Sequence, residues 1–120
     1  MAKILVHVTS GPENPTKAAL AFLVAKAAID EGHDVSMFLA GDATQLLRDS
    51  VLDSLVGLGT GALRESYDAV VAGGAALYAS GMSSKARGVG EDDLSGKPVE
   101  FAMPTGLVQL TVDSDRVLTY

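Results

Sequence analysis

Short apolar blocks alternate along this chain with longer blocks of helical period. Residues 3–9, KILVHVT, are apolar and rich in β-branched side chains, and the turn-forming run SGPENP stops them, which predicts a buried first strand. The run NPTKAALAFLVAKAAIDEG carries its helix signals in order, with Asn14 as cap, Pro15 in the first turn and Gly32 just past the end. It predicts a helix of about 17 residues. Residues 33–40, HDVSMFLA, read as a second strand. Asp42 and Gln45 then have capping-box spacing, so a second helix is expected from Ala43 to the neighbourhood of Leu55, where the glycines of GLGTG break it. Helical period resumes over residues 62–72 and a third strand follows over 75–80. The rest reads as loop and short helix over 81–95, a strand at KPVEFA, a helix from Thr105 towards Val112, and a final strand at RVLTY.

Apolar strands separated by helices need crossover connections, and those belong to a parallel sheet covered on both faces. The expected fold is therefore α/β, a three-layer α/β/α sandwich with a mainly parallel sheet of about five strands, as one domain over residues 1–120. Ligands of such sheets sit beyond the carboxyl ends of the strands, which selects the loops TSGPENP, AGDA and SGMSSKARG. The first helix adds a second message. Between Ala18 and Ile29 its only charge is Lys26, and Phe22, one turn earlier, falls on the face expected to be solvated. A helix apolar nearly all round is buried on more than one side, and in a chain this small another subunit is the simplest cover, so a homo-oligomer is expected.

Composition narrows the chemistry. With 120 residues, 48% of them hydrophobic, the chain can bury a core without metal or disulfide support. Fifteen acids against nine bases leave a net charge of −6, which repels polyanions and argues against nucleic acid as a partner. The longest apolar run, AALAFLVAKAAI, is too short to span a bilayer, and MAKILVHV lacks the apolar core of a signal peptide; a cytoplasmic protein with no membrane partner is expected. There is no cysteine, so thiol, persulfide and thiolate-metal chemistry cannot be carried by this chain.

The richest chemistry lies in YASGMSSKARGVGEDDL, residues 78–94. Ser80, Ser83 and Ser84 supply hydroxyls, Gly81 and Gly88 let backbone approach a ligand, and Lys85 and Arg87 supply positive charge, which makes a small-anion pocket the functional reading. The structural reading is that the serines cap a short helix while Arg87 pairs with Glu91 or Asp92. A secondary loop holds Ser10 and Asn14 at a helix start, without the spacing of a P-loop and with Glu13 placed to repel phosphate. GLGTG follows a helix instead of a strand, so it is read as a helix breaker and not as a dinucleotide fingerprint. His7, mid-strand, is expected as a satisfied buried imidazole, with a Ser80–His7 pair as the catalytic alternative; His33 follows Gly32 at a helix end. EDD at 91–93 reads as solvated acids opening a short helix, and no metal or cofactor is expected.

The succession KILVHVTSGPENPTKAALAFLVAKAAIDEGHDVSMFLAGDA, a strand ending in YASG, then SSKARGVGEDDL and a closing SDRVLTY resembles the DsrE/DsrF-like family of small sulfur-relay proteins, over nearly the whole chain. The most specific part follows the third strand, where members commonly show a cysteine, a glycine and a nearby serine, then alanine, arginine and glycine. Gly81, Ser83, Ala86, Arg87 and Gly88 match, and Ser80 stands where the sulfur-carrying cysteine would be. The resemblance implies the fold, a pocket at this loop and self-association, as a trimer or a hexamer. It does not bring the reaction, because a hydroxyl cannot hold a sulfane sulfur. The expectation is a non-catalytic binding or accessory protein. The alternatives are an enzyme acting on a small anionic substrate through the Ser80–Arg87 loop, and a structural subunit of a mixed sulfur-relay-type complex.

Overall fold

The first strand, β1 (Lys3–Val8), leads into helix α1 (Pro15–Asp30) in the computed structural model, which describes residues 1–120. The caps act as their residue types require. Asn14 Oδ1 accepts the Lys17 amide at 3.2 Å, and Pro15 occupies the first turn. At the other end Gly32, at φ 88°, lets its own amide reach Ile29 O and the His33 amide reach Ala28 O, the paired bonds of a Schellman stop. The chain continues through β2 (Asp34–Leu39), a 3-10 helix (Gly41–Leu47), α2 (Asp49–Leu52) and a hairpin of β3 (Val56–Gly57) and β4 (Gly61–Ala62). Then come α3 (Leu63–Ala72), β5 (Ala76–Ser80), α4 (Gly81–Ala86), a 3-10 turn (Glu91–Leu94), β6 (Val99–Ala102), α5 (Pro104–Asp113) and β7 (Arg116–Thr119).

Five strands form one wholly parallel sheet in the order β6-β5-β2-β1-β7. From β1 to β6 each step moves the same way across the sheet, so right-handed crossovers put α1, α3 and α4 on one face. The return from β6 to β7 spans the whole sheet, which leaves α5 alone on the other face. Alternation follows. Val6, Val8, Met37, Leu39, Leu77 and Ala79 join the α1 side in the main core, whereas Leu5 and Phe38 are buried on the α5 side.

Three local expectations are corrected. Residues 43–55 are not one helix: Arg48 is extended at φ −69°, ψ 133°, and splits a 3-10 segment from one α turn. Its side chain explains the break, reaching Arg87 O at 2.7 Å and Asp93 at 3.7 Å. The Asp42–Gln45 capping box does not form, because the cap is Ala40 and the Asp42 carboxylate is turned to Arg87. GLGTG is a tight hairpin seated on α1. The Leu58 amide donates to Thr16 Oγ1 at 3.0 Å, and a Cβ on Gly57 would lie 3.0 Å from Thr16 Cα and 3.2 Å from Ala19 Cβ.

Phe22 is also not where the helical period put it. It is buried, with its ring 6.2 Å from Tyr67 of α3, so the second side of α1 is covered by α3 and the hairpin of the same chain. No helix is long and apolar enough to cross a membrane.

Candidate functional site

The carboxyl ends of β1, β2 and β5 lie side by side, so the three loops selected from the sequence meet at one end of the sheet. β5 ends on Ser80, which caps α4. Its Oγ accepts the Ser83 amide at 3.1 Å, and the residue is only 7% exposed. Ser83 in turn ties this loop to the next: its Oγ accepts the Gly41 amide at 2.9 Å. Gly81 sits against β6, where an added Cβ would be 4.0 Å from Phe101 Cβ. Exposed Met82 and half-exposed Phe101 thus make an apolar flank beside the cap. Ser84 is buried at 1% exposure and its Oγ has no partner.

The cations are mostly engaged. Arg87 does not pair with Glu91 or Asp92. Its Nε donates to Asp42 Oδ1 at 2.9 Å and its Nη1 to Ser83 O at 3.1 Å. The reason is topological, since β2 and β5 are neighbours and bring Asp42 to α4 across 45 residues of sequence. Arg48 adds its bond to Arg87 O from below. Of the cations around this loop, Lys85 alone is exposed and in no ion pair. Asp93 meanwhile accepts the Gly90 amide at 2.9 Å, so the EDD acids do open a short helical turn.

The first loop closes on itself. Glu13 offers both carboxylate oxygens to the Gly11 amide, at 2.7 and 3.0 Å, and so occupies the donor an anion would use. Gly11 presses so closely on the β2 loop that a Cβ would overlap Asp42 O. Ser10, just before it, is buried at the end of β1. Asn14 is spent as the α1 cap. The structure therefore gathers Ser80, Gly81, Ser83, Ser84 and Arg87, sets Ser10 beside them through the Gly11 contact, leaves Lys85 pointing to solvent and keeps Asn14 apart.

His7 is not arranged to activate Ser80. Strand register matches His7 with Phe38 and Phe38 with Tyr78, so β2 and about 10 Å of sheet separate His7 from β5, and Ser80 lies two residues further along. Nor is the imidazole satisfied. Its Nε2 is buried with no hydrogen-bond partner, the ring meets Phe38 edge-on at 6.2 Å, and burial pushes its pKa below the ordinary histidine value. His33 instead anchors the amino-terminal segment: its Nδ1 accepts the Ala2 amide at 2.9 Å. No three His, Asp or Glu side chains converge as a metal site requires. A cavity of about 380 Å³ lies elsewhere, on the edge formed by β5 and β6, lined by Ala76, Tyr78, Lys97, Pro98 and Glu100. The sequence pattern gave no sign of it, because the face above those strands is left open only by where α5 crosses.

The family model described as DsrE/DsrF-like family matches residues 2–120. Among solved structures, the crystal structure of the ychN protein from E. coli is similar at 21% identity and TM-score 0.80, covering 100% of both chains. The structure of BT1422, a conserved protein of unknown function from Bacteroides thetaiotaomicron, is similar at 11% identity and TM-score 0.73, covering 99% of this chain and 95% of that one. At these identities the two structures speak for the fold alone. No curated protein matches the chain.

Proposed function

The chain belongs to the DsrE/DsrF-like family, and from that premise we propose that it is a non-catalytic binding or accessory protein that has kept the family's loop without its sulfur chemistry. The carrying observation is Ser80. Oxygen occupies the loop position where the resemblance puts a thiol, and one of its two lone pairs accepts the Ser83 amide at 3.1 Å. His7, the base considered for it, lies two strands away, and Arg87 and Arg48 are held by Asp42, Asp93 and backbone carbonyls. A loop satisfied from within except at the Ser84 hydroxyl offers a shaped surface, flanked by Met82 and Phe101, more than a reaction centre. We take the protein to act in the cytoplasm, as a homo-oligomer, without nucleic acid or membrane; the charge of −6 supports the absence of nucleic acid, because it repels polyanions.

The test is sulfur loading. Purified chain incubated with polysulfide should gain no sulfur by mass spectrometry and release sulfide at the buffer rate. Stable uptake by the wild-type chain would overturn the reading. A second reading, an enzyme or carrier for a small anion, is favoured by one observation: Ser84 Oγ is buried without a partner next to the unpaired Lys85. Titration with inorganic phosphate or sulfate, followed by amide NMR shifts of residues 80–88, separates the two. Saturable shifts there support the anion reading, and flat spectra support the accessory one. A structural subunit of a mixed complex would instead show the same loop covered by a different chain in a complex isolated from cells.

A further inference from the structure

Parallel sheets are ordinarily covered on both faces, so an exposed residue on an interior strand marks a gap in the cover. Ala76 is such a residue: it begins β5, which lies between β6 and β2. The gap follows from the path of α5, which leaves the carboxyl end of β6 and ends at the amino end of β7 on the opposite edge, so the amino-terminal halves of β5 and β6 stay open on that side. Leu77 and Val99 point into the main core, which turns Ala76, Tyr78, Pro98 and Glu100 to the open face. Together with Lys97 they line the cavity of about 380 Å³, inside the size range of small-molecule sites. Its two charged groups differ. Lys97 Nζ donates to Asp93 O at 2.6 Å and lies 2.8 Å from Asp49 Oδ1, with only 7% of its side chain exposed. Glu100 is exposed and in no ion pair.

We propose that this gap is a binding site for a small organic cation, an ammonium or guanidinium group on a short apolar body, with Glu100 as its counter-charge and Tyr78, Pro98 and Ala76 as its walls. The free charge in the lining decides the sign of the ligand. Tyr78 and Glu100 are register partners on adjacent strands, about 4.8 Å apart at the backbone, so a cation beside the carboxylate is also within reach of the phenol ring. An anion would meet Glu100 with Lys97 already spent, inside the field of a chain that carries −6. A metal ion finds too few ligands, because no second carboxylate and no imidazole line the gap. The apolar body follows from Ala76 and Pro98, whose small side chains leave the room beside Tyr78. A free amine and the Lys or Arg side chain of an extended peptide share this chemistry, and β6, an edge strand paired only with β5, is open to either.

The experiment is titration of isotope-labelled full-length protein with benzylammonium, followed by amide NMR shifts. Shifts should saturate at residues 76–78 and 97–100, with a dissociation constant on the order of 1 mM, as suits a fragment of that size. Benzyl alcohol, the same ring without charge, and benzoate should bind at least about threefold more weakly. Glu100→Gln keeps the size of an exposed side chain and should weaken benzylammonium by about threefold or more, the scale of a partly exposed ion pair. Glu91→Gln, an exposed acid outside the gap, should leave binding unchanged. Ala76→Leu fills the gap and should remove the shifts, while the remaining resonances of each variant report an intact fold. A wild type without saturable shifts, equal binding of the alcohol, tighter binding of benzoate, or a Glu100→Gln chain that binds like wild type overturns the site. Comparing butylammonium with an end-capped peptide containing one Lys separates the two sources. Tighter binding of the peptide assigns the site to a side chain, and binding no tighter assigns it to free amines. The accessory reading of the Ser80 loop stands or falls separately, on sulfur loading.

Discussion

Lowering the pH exposes the cost of burying His7. Its Nε2 is bonded to nothing, and it lies on the side of the sheet that α5 covers, beside Phe38. A proton added there creates a cation with no acceptor, so burial holds the native pKa down. In the unfolded chain the ring titrates near its ordinary value, about 6.5. Between the two values the unfolded chain binds one more proton than the native one. Stability therefore falls as the pH falls, by up to ~1.4 kcal/mol per pH unit, starting near 6.5 and ending once the native ring protonates. Above about pH 7.5 the ring is neutral in both states and contributes nothing. Carboxylates take over below about pH 5, which sets the window. Urea unfolding at fixed protein concentration, followed by circular dichroism between about pH 7 and about pH 5, reads the effect as a falling midpoint with an unchanged slope. His7→Leu removes both the charge and the unmet hydrogen bond, so its midpoint should be level over the window and above that of wild type at the acid end. A level wild-type midpoint, or a His7→Leu midpoint that falls in parallel, refutes the reasoning.

Other substitutions probe the fold and the loop. Ser80→Ala removes the acceptor for the Ser83 amide and should cost about 1 kcal/mol in chemical denaturation, as N-cap losses do, with the fold intact by NMR. Phe22→Ala should cost ~3–5 kcal/mol, because the ring is fully enclosed between α1 and α3; a cost under about 1 kcal/mol would mean the ring is not enclosed by its own chain. The Arg87–Asp42 pair, partly exposed on both sides, should show a coupling of only ~0–1 kcal/mol in a double-mutant cycle. Ser80→Cys should fold like wild type, and the thiol pKa from the pH dependence of alkylation tells whether this loop favours an anion. A value below the free-thiol value of about 8.5 supports the anion reading and a raised one supports a merely structural cap.

What was legible in the sequence was local. Asn14, Pro15 and Gly32 delimit α1 because caps act within a few residues, and the strands of the main sheet announced themselves as short apolar blocks between turns. The same logic found Ser80 as a cap. The failures were set by contacts distant in sequence. Nothing near Arg48 says that its backbone must be extended; that follows from Arg87 O, 39 residues on. Asp42 has good capping spacing with Gln45 and is taken by Arg87. Phe22 sits one turn from Lys26, and only the docking of α3 shows that it faces inward. For the site, residue types were readable and partners were not. Partners depend on β2 and β5 being neighbours, a strand order that no single-chain periodicity encodes.

The Ser80 loop and the α5 face differ in how far the chain satisfies them. Around Ser80, amides, guanidinium groups and carboxylates are matched within the molecule, by Ser83 with Gly41, Arg87 with Asp42 and Arg48 with Arg87 O. None of these bonds needs sulfur, so the loop's shape does not depend on whether position 80 carries a thiol or a hydroxyl. Beyond the unpartnered Ser84 Oγ and the unpaired Lys85, such a loop has little polar energy left to offer a ligand, since further hydrogen bonds must displace ones already made. On the α5 face the deficit is apolar: Val108 and Val112 are 62% and 73% exposed, and covering them would release free energy at roughly 25 cal/mol per Å². The uncompensated apolar surface therefore lies with α5, and the polar groups left open beside Ser80 are the Ser84 hydroxyl and the Lys85 ammonium.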